Sequence, residues 1–289
     1  QPTTAFWHLT MQIPKAMRAI PAIKEYRFQI SPNKSWVPTF DVSEIVYVNL
    51  RSDKETGRAR IIGLPDIHVK AQNDIKSAHV VTKPLHEADG EGKHQFPLQN
   101  RIRVDFLNGD GSCHVRLSRV QKVFTSINTV IVCPTTDEYR RLARSQLSPM
   151  DYVVEVGSSY GKCTEIIHLH THGRVVGIDV SAEAVSASKA QFPHIQFQLC
   201  DAMQNLEGLC DAAKLARGAH DGDCKAFVDI GGDRDYPTVV RLVSAVADAL
   251  EPQLLVVKSR ELYAALAPHF SAPFTCAAAP ALAGGGGAV

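Results

Sequence analysis

The sequence lacks any Cys-x-x-Cys pair. Its seven cysteines, Cys113, Cys133, Cys163, Cys200, Cys210, Cys224 and Cys276, stand apart. An odd, scattered set argues against a disulfide framework and against a structural zinc site, and leads us to expect a reducing, intracellular compartment. No uninterrupted apolar run approaches the ~20 residues that cross a bilayer, so no membrane partner is expected. The first residues carry no basic start followed by an apolar run, so no secretory signal is read there. No internal repeat and no recognisable nucleic-acid-binding signature is found.

What is present is an ordinary globular composition, with 45% hydrophobic and 21% charged residues over 289 positions, enough for one large or two ordinary domains. The net charge of +1 hides an asymmetry. Residues 1–150 hold 21 Lys and Arg against 14 Asp and Glu, whereas residues 151–289 hold 10 against 16. Two domains with different partners would have this distribution, and a basic half suits a polyanion such as RNA.

The basic half reads as a series of short strands separated by Gly, Pro, Asn and Asp: Tyr26 to Ile30, Val46 to Leu50, Arg58 to Ile62, Ile67 to Lys70 and His79 to Thr82. A helix is expected around Lys15 to Lys24 and an exposed loop over Glu87 to Lys93. The clearest element is a hairpin. Arg101 to Leu107 alternates, Asn108-Gly-Asp-Gly111 turns, and His114 to Ser118 alternates again. Its solvent face would carry Arg101, Arg103, Asp105, His114 and Arg116, a face that could hold phosphates or be a plain amphipathic surface. Thr129 to Cys133 is a further strand, and Thr135 or Thr136 could cap the helix that follows. We place a domain boundary near residue 134, giving a β-rich first domain over 1–134, a second domain over 135–276, and an Ala- and Gly-rich flexible tail over 277–289.

The second half alternates strands with helices, beginning with Tyr152-Val-Val-Glu-Val156 and the small-residue turn Gly157-Ser-Ser-Tyr-Gly161. Such a pattern implies a mostly parallel sheet covered by helices on both faces, an α/β fold. Ligands of these sheets bind beyond the carboxyl ends of the strands. Glu155, Asp179, Asp201, Asp229 and Lys258 all fall at or near those ends. His168, His170 and His172 sit where a helix would end, a position that the helix dipole favours, and no metal site is read there.

On these residues the second half resembles class I S-adenosylmethionine-dependent methyltransferases, which are Rossmann-like. Glu155-Val-Gly157-Ser-Ser159-Tyr-Gly161 is similar to the family's first motif, with Ser159 at the middle glycine; Asp179, 22 residues after Gly157, matches the acid that binds the ribose hydroxyls. Asp201-Ala202 matches the motif whose Asp contacts the adenine amino group. The resemblance therefore implies S-adenosyl-L-methionine held by Glu155, Gly157, Ser158, Ser159, Gly161, Asp179, Val180, Asp201 and Ala202. NAD is disfavoured, because Gly-x-Gly-x-x-Gly is absent.

Asp229 at the fourth strand of this half and Lys258 at the fifth resemble the core of RNA 2′-O-ribose methyltransferases, fibrillarin-like ones included, and imply a catalytic pair acting on a ribose hydroxyl. The family's first lysine is not found; Arg140, Arg141 and Arg144 occupy that region. Asp229-Ile-Gly-Gly-Asp-Arg-Asp-Tyr236 also resembles metal-dependent catechol-type methyltransferases, but Lys258-Ser259 stands where those place Asp-Asn, so no metal is expected. The leading expectation is an RNA methyltransferase, acting on a ribose hydroxyl or a base. The alternatives are a small-molecule or protein methyltransferase with the first domain as a lid, and a non-catalytic subunit whose sheet lacks the family's final hairpin.

Overall fold

A computed structural model describes residues 26–30, 40, 42–49, 57–64, 67–68, 81–82, 101–124, 128–231 and 234–270. The expected helix at 15–24, the loop at 87–93 and the tail at 277–289 lie outside the described residues.

The larger unit is a seven-stranded sheet in which every pairing is parallel. Its strands, from one edge to the other, are β12 (Gln196–Leu199), β11 (Val175–Asp179), β10 (Tyr152–Val156), β13 (Cys224–Val228), β14 (Leu254–Lys258), β9 (Thr129–Cys133) and β1 (Arg27–Ile30). The near-continuous Val, Ile and Leu of β10, β11 and β14 suit strands buried on both faces. Three helices cover one face: α1 (Thr136–Ser145), α2 (Lys162–His170) and α3 (Ala182–Gln191). Tyr139, Leu142, Ile167 and Val185 pack there against Val153, Val175, Phe227 and Val256. The other face is covered by α4 (Leu206–Arg217), α5 (Tyr236–Leu250) and α6 (Arg260–Phe270), through Leu209, Leu242, Val243 and Leu262 on Val154, Val176, Val228 and Val257. The result is a Rossmann-like α/β sandwich.

The second sheet is antiparallel, in the order β7 (Ser112–Arg116), β6 (Arg101–Phe106), β3 (Gly57–Gly63), β2 (Ile45–Val48), β8 (Val120–Lys122). Ile102, Val104, Ala59, Ile61, Val46 and Val48 alternate onto one buried face. The short strands β4 (Ile67–His68) and β5 (Val81–Thr82) pair with each other. The expected hairpin forms, and Arg119 falls out of phase because Leu117–Arg119 forms a 3₁₀ turn.

Three expectations are corrected. A boundary at 134 does not separate the sheets, because β1 and β9 precede it and yet pair in the larger sheet. The same two strands fill the edge beside β14, so the larger sheet does not end early; N-terminal chain takes that place, parallel to its neighbours. Finally, the hairpin's second strand runs Ser112–Arg116 and not over His114 to Ser118.

The two sheets meet at the amino-terminal rim of the larger one. Lys225 Nζ, near the start of β13, donates to Asp151 Oδ2 and to the Gln146 carbonyl, each at 2.7 Å. The Ser148 N–H donates to the same Asp151 oxygen at 2.6 Å. The Gln146 side chain donates to the Lys122 carbonyl and accepts from the Phe124 N–H, and Arg58 Nη2 donates to the Leu147 carbonyl at 3.1 Å. Tyr47 packs edge-on to the His170 ring. Burial pushes the Lys225 pKa down, and Asp151 opposes that shift. This rim is a sealed polar seam.

Candidate active site

The opposite, carboxyl-terminal rim is open. Strand order reverses between β10, which continues to β11 and β12, and β13, which continues to β14, so a crevice must form there. A cavity of about 620 Å³ occupies it.

The loop after β10 is shaped by backbone sterics. Gly157 adopts φ 79°, and a Cβ there would lie 1.9 Å from the Asp229 carbonyl, so only glycine lets β10 and β13 approach. The N–H groups of Gly157 and Ser158 both donate to the Ile178 carbonyl. Ser159 has φ 49°, a left-handed backbone held by a non-glycine residue. Ser188 Oγ steadies it by donating to the Ser159 carbonyl at 2.8 Å. Gly161, at φ 74°, opens α2, and a Cβ there would strike the Phe197 ring.

Asp179 ends β11 facing the cavity. Its Oδ2 accepts the Ser159 N–H at 2.8 Å and its Oδ1 accepts the Ser181 N–H at 2.9 Å. Each oxygen keeps a further lone pair, so the carboxylate is fixed in orientation and still able to accept two hydroxyl hydrogen bonds. Val180 beside it is 62% exposed, an apolar shelf left open. After β12, Asp201 turns the chain by accepting from the Met203 N–H, and Ala202 and Met203 line the same cavity.

Across the crevice, Lys258 Nζ donates to Asp229 Oδ2 at 2.6 Å and to Thr136 Oγ1 at 3.2 Å. The Gly231 N–H approaches the other Asp229 oxygen at 3.3 Å. Asp229, Lys258, Gly231 and Arg234 all line the cavity.

Of the residues expected from the sequence, the fold gathers Gly157, Ser159, Asp179, Val180, Asp201, Ala202, Asp229 and Lys258 around one cavity. It turns three away. Glu155 is 1% exposed and points into the α1–α2 layer, where Thr164 Oγ1 donates at 2.5 Å and the Tyr139 hydroxyl at 3.4 Å. Burial pushes its pKa up to about 7, with the Thr164, Cys163 and Tyr139 hydrogen bonds opposing that rise. It supports the loop from beneath instead of touching a ligand. Ser158 is buried, and its hydroxyl has no partner among the described residues. Gly161 shapes the turn to α2 without reaching the cavity. The sequence reading missed Met203, Arg234 and Thr136 as cavity or pair partners. Thr136 had been visible only as a candidate helix cap; Thr135 takes that role by accepting from the Glu138 N–H. The histidines His168 and His170 end α2, and burial lowers both pKa values.

No family model and no curated protein matches the chain. Among solved structures, "Crystal structure of 23S rRNA methyltransferase ErmE" is similar at 14% identity and a TM-score of 0.29, over 43% of this chain and 46% of that one. The match thus spans less than half of that protein's length.

Proposed function

We propose that the chain is an S-adenosyl-L-methionine-dependent methyltransferase with RNA as its substrate. One observation carries this reading. Asp179, held by the Ser159 and Ser181 N–H groups, presents a bidentate acceptor to the crevice beside the open Val180 shelf and the Asp201 turn. That donor and acceptor set fits a ribose and an adenine. The left-handed Ser159 and the close Gly157–Asp229 approach leave room for a ligand chain along the loop backbone.

The sulfonium of the cofactor supplies an activated methyl group, so the protein's work is mainly proximity and orientation. Asp229 and Lys258 lie on the far side of the same cavity. In this reading Asp229 accepts a hydrogen bond from the nucleophile, and Lys258 holds Asp229 and donates to an oxygen of the substrate. Lys258, bonded to both Asp229 and Thr136, positions the pair, and Asp229 receives.

The preference for RNA rests on this pair and on the basic first half. A lid role for the first domain is disfavoured by its attachment at the sealed rim, away from the cavity. A non-catalytic subunit is disfavoured because β9 and β1 complete the sheet edge. The test is transfer of labelled methyl groups from S-adenosylmethionine to total RNA, beside a small-metabolite extract and a protein extract. Label entering RNA supports the reading; label entering only metabolites or protein overturns its substrate, and label entering none overturns the activity.

A further inference from the structure

The outer face of the smaller sheet has an unusual arrangement of charge. Period-two alternation sends Ile102, Val104 and Val115 to the core, and so sends Arg101, Arg103 and Arg116 outward. The register places Arg101 directly opposite Arg116, and Arg103 directly opposite His114. Arg60 lies one strand over, opposite Asp105, which is the one acidic side chain on this face of β3, β6 and β7. Like charges facing each other across a ladder destabilise it. Among the described residues none of these arginines forms an ion pair with a carboxylate; Arg60 donates to the Ser43 carbonyl. A ladder of guanidinium groups with no carboxylate partner among the described residues works against folding.

We propose that this face is a docking surface for the phosphate backbone of RNA, separate from the crevice. Guanidinium groups match phosphate oxygens in geometry and charge. No Phe, Tyr or Trp stands on the outer face of β6 or β7, so the grip is on phosphates and not on stacked bases. The identity of the polyanion as RNA rests on the functional reading above; the charge arrangement does not. The position adds a constraint. This sheet is joined to the amino-terminal rim, and the crevice lies at the other end of five-residue strands, ~16 Å away along the strand direction. A substrate that uses both must be long, so the surface selects for extended or structured RNA over a nucleotide or short fragment.

The experiment is equilibrium binding of a labelled RNA stem-loop to the full chain, measured by fluorescence anisotropy over a salt series. With four arginines engaged, affinity should fall roughly 50- to 150-fold between about 50 and 200 mM salt. The double variant Arg103→Thr with Arg116→Thr should bind at least about tenfold more weakly, with a log–log salt slope shallower by roughly 1.4 to 1.8. Its thermal midpoint should stay level or rise, since opposed charges are relieved; a structural role would lower it. Arg103→Lys with Arg116→Lys should restore the slope. Lys189→Ala with Lys214→Ala, which removes equal charge from α3 and α4, should leave binding unchanged. Wild-type binding and slope in the Thr variant would overturn the proposal, as would preference for phosphatidylserine vesicles over RNA. Titration with S-adenosylmethionine separates the two readings: the Thr variant should bind it normally, and RNA binding without any cofactor binding would leave the docking surface standing while removing the methyltransferase.

Discussion

Adjacent strands of the larger sheet carry two Lys–Asp pairs, one at each rim, and they differ in what surrounds them. At the amino-terminal rim Lys225 and Asp151 are 11% and 4% exposed, and the Gln146 carbonyl and Ser148 N–H complete their contacts. At the carboxyl-terminal rim Lys258 and Asp229 are 14% and 19% exposed and as close, at 2.6 Å against 2.7 Å, but they border an open cavity. The first pair is nearly buried and backs the seam where Gln146 and Arg58 join the two sheets. The second retains hydrogen-bonding capacity directed at a space large enough for a ligand. Residue type and pair distance therefore do not distinguish an anchoring pair from a working one; the remaining neighbours do.

The sharpest way to break this comparison is to remove one partner at each rim. Asp151→Ala should destabilise the fold by about 3–5 kcal/mol, because it leaves Lys225 buried and unpaired. Asp229→Ala should cost less, about 1–3 kcal/mol, because Lys258 keeps Thr136 as a partner and borders the open cavity, yet lower methyl transfer about 10²- to 10⁴-fold. Urea unfolding and single-turnover transfer assays on both variants check this. Equal losses of stability would erase the distinction.

A smaller effect comes from Glu155, whose pKa is raised from 4.5 to about 7 by burial. Between those values the folded chain holds a proton that the unfolded chain has released. This group's contribution to stability is full below about pH 4.5 and is lost as the pH rises through about 7. Stability should thus fall by up to roughly 3 kcal/mol between about pH 4.5 and pH 8 on account of this residue alone. Glu155→Gln should remove that component, which urea midpoints across the range would reveal. Smaller still, Ser159→Gly should change stability by less than about 1 kcal/mol. It relieves a left-handed backbone but frees the unfolded chain, and the two effects oppose each other. Cofactor affinity should not change, since the Ser159 backbone N–H that holds Asp179 is kept. A large loss would give the serine hydroxyl a role that the geometry does not.

Much of the crevice was legible in the sequence because strand ends in a parallel sheet converge, and Asp179, Asp201, Asp229 and Lys258 each close a strand or follow one. The orientation of Glu155 was not legible. Helices bury both faces of β10, so hydrophobic alternation gives no solvent side from which to read parity. The placement of β1 and β9 was hidden for another reason. Each pairs with chain more than 100 residues away, Arg27 beside Thr129 and Thr129 beside Leu254, and no local pattern encodes those partners. The hairpin was readable in its first strand and turn, because turn and alternation are local, but its second strand lies at Ser112–Arg116 and not over His114 to Ser118.

The measurement that bears most directly on the crevice as a methyl-donor site is calorimetric titration of the purified chain with S-adenosylmethionine, beside NAD, for the wild type and for Asp179→Ala. Saturable binding of S-adenosylmethionine alone is expected in the wild type. A loss of about 100-fold is expected in the variant, the effect of removing a charge-assisted bidentate contact, with the unfolding midpoint unchanged. Unaltered affinity in Asp179→Ala, or binding of NAD in place of S-adenosylmethionine, would contradict the account.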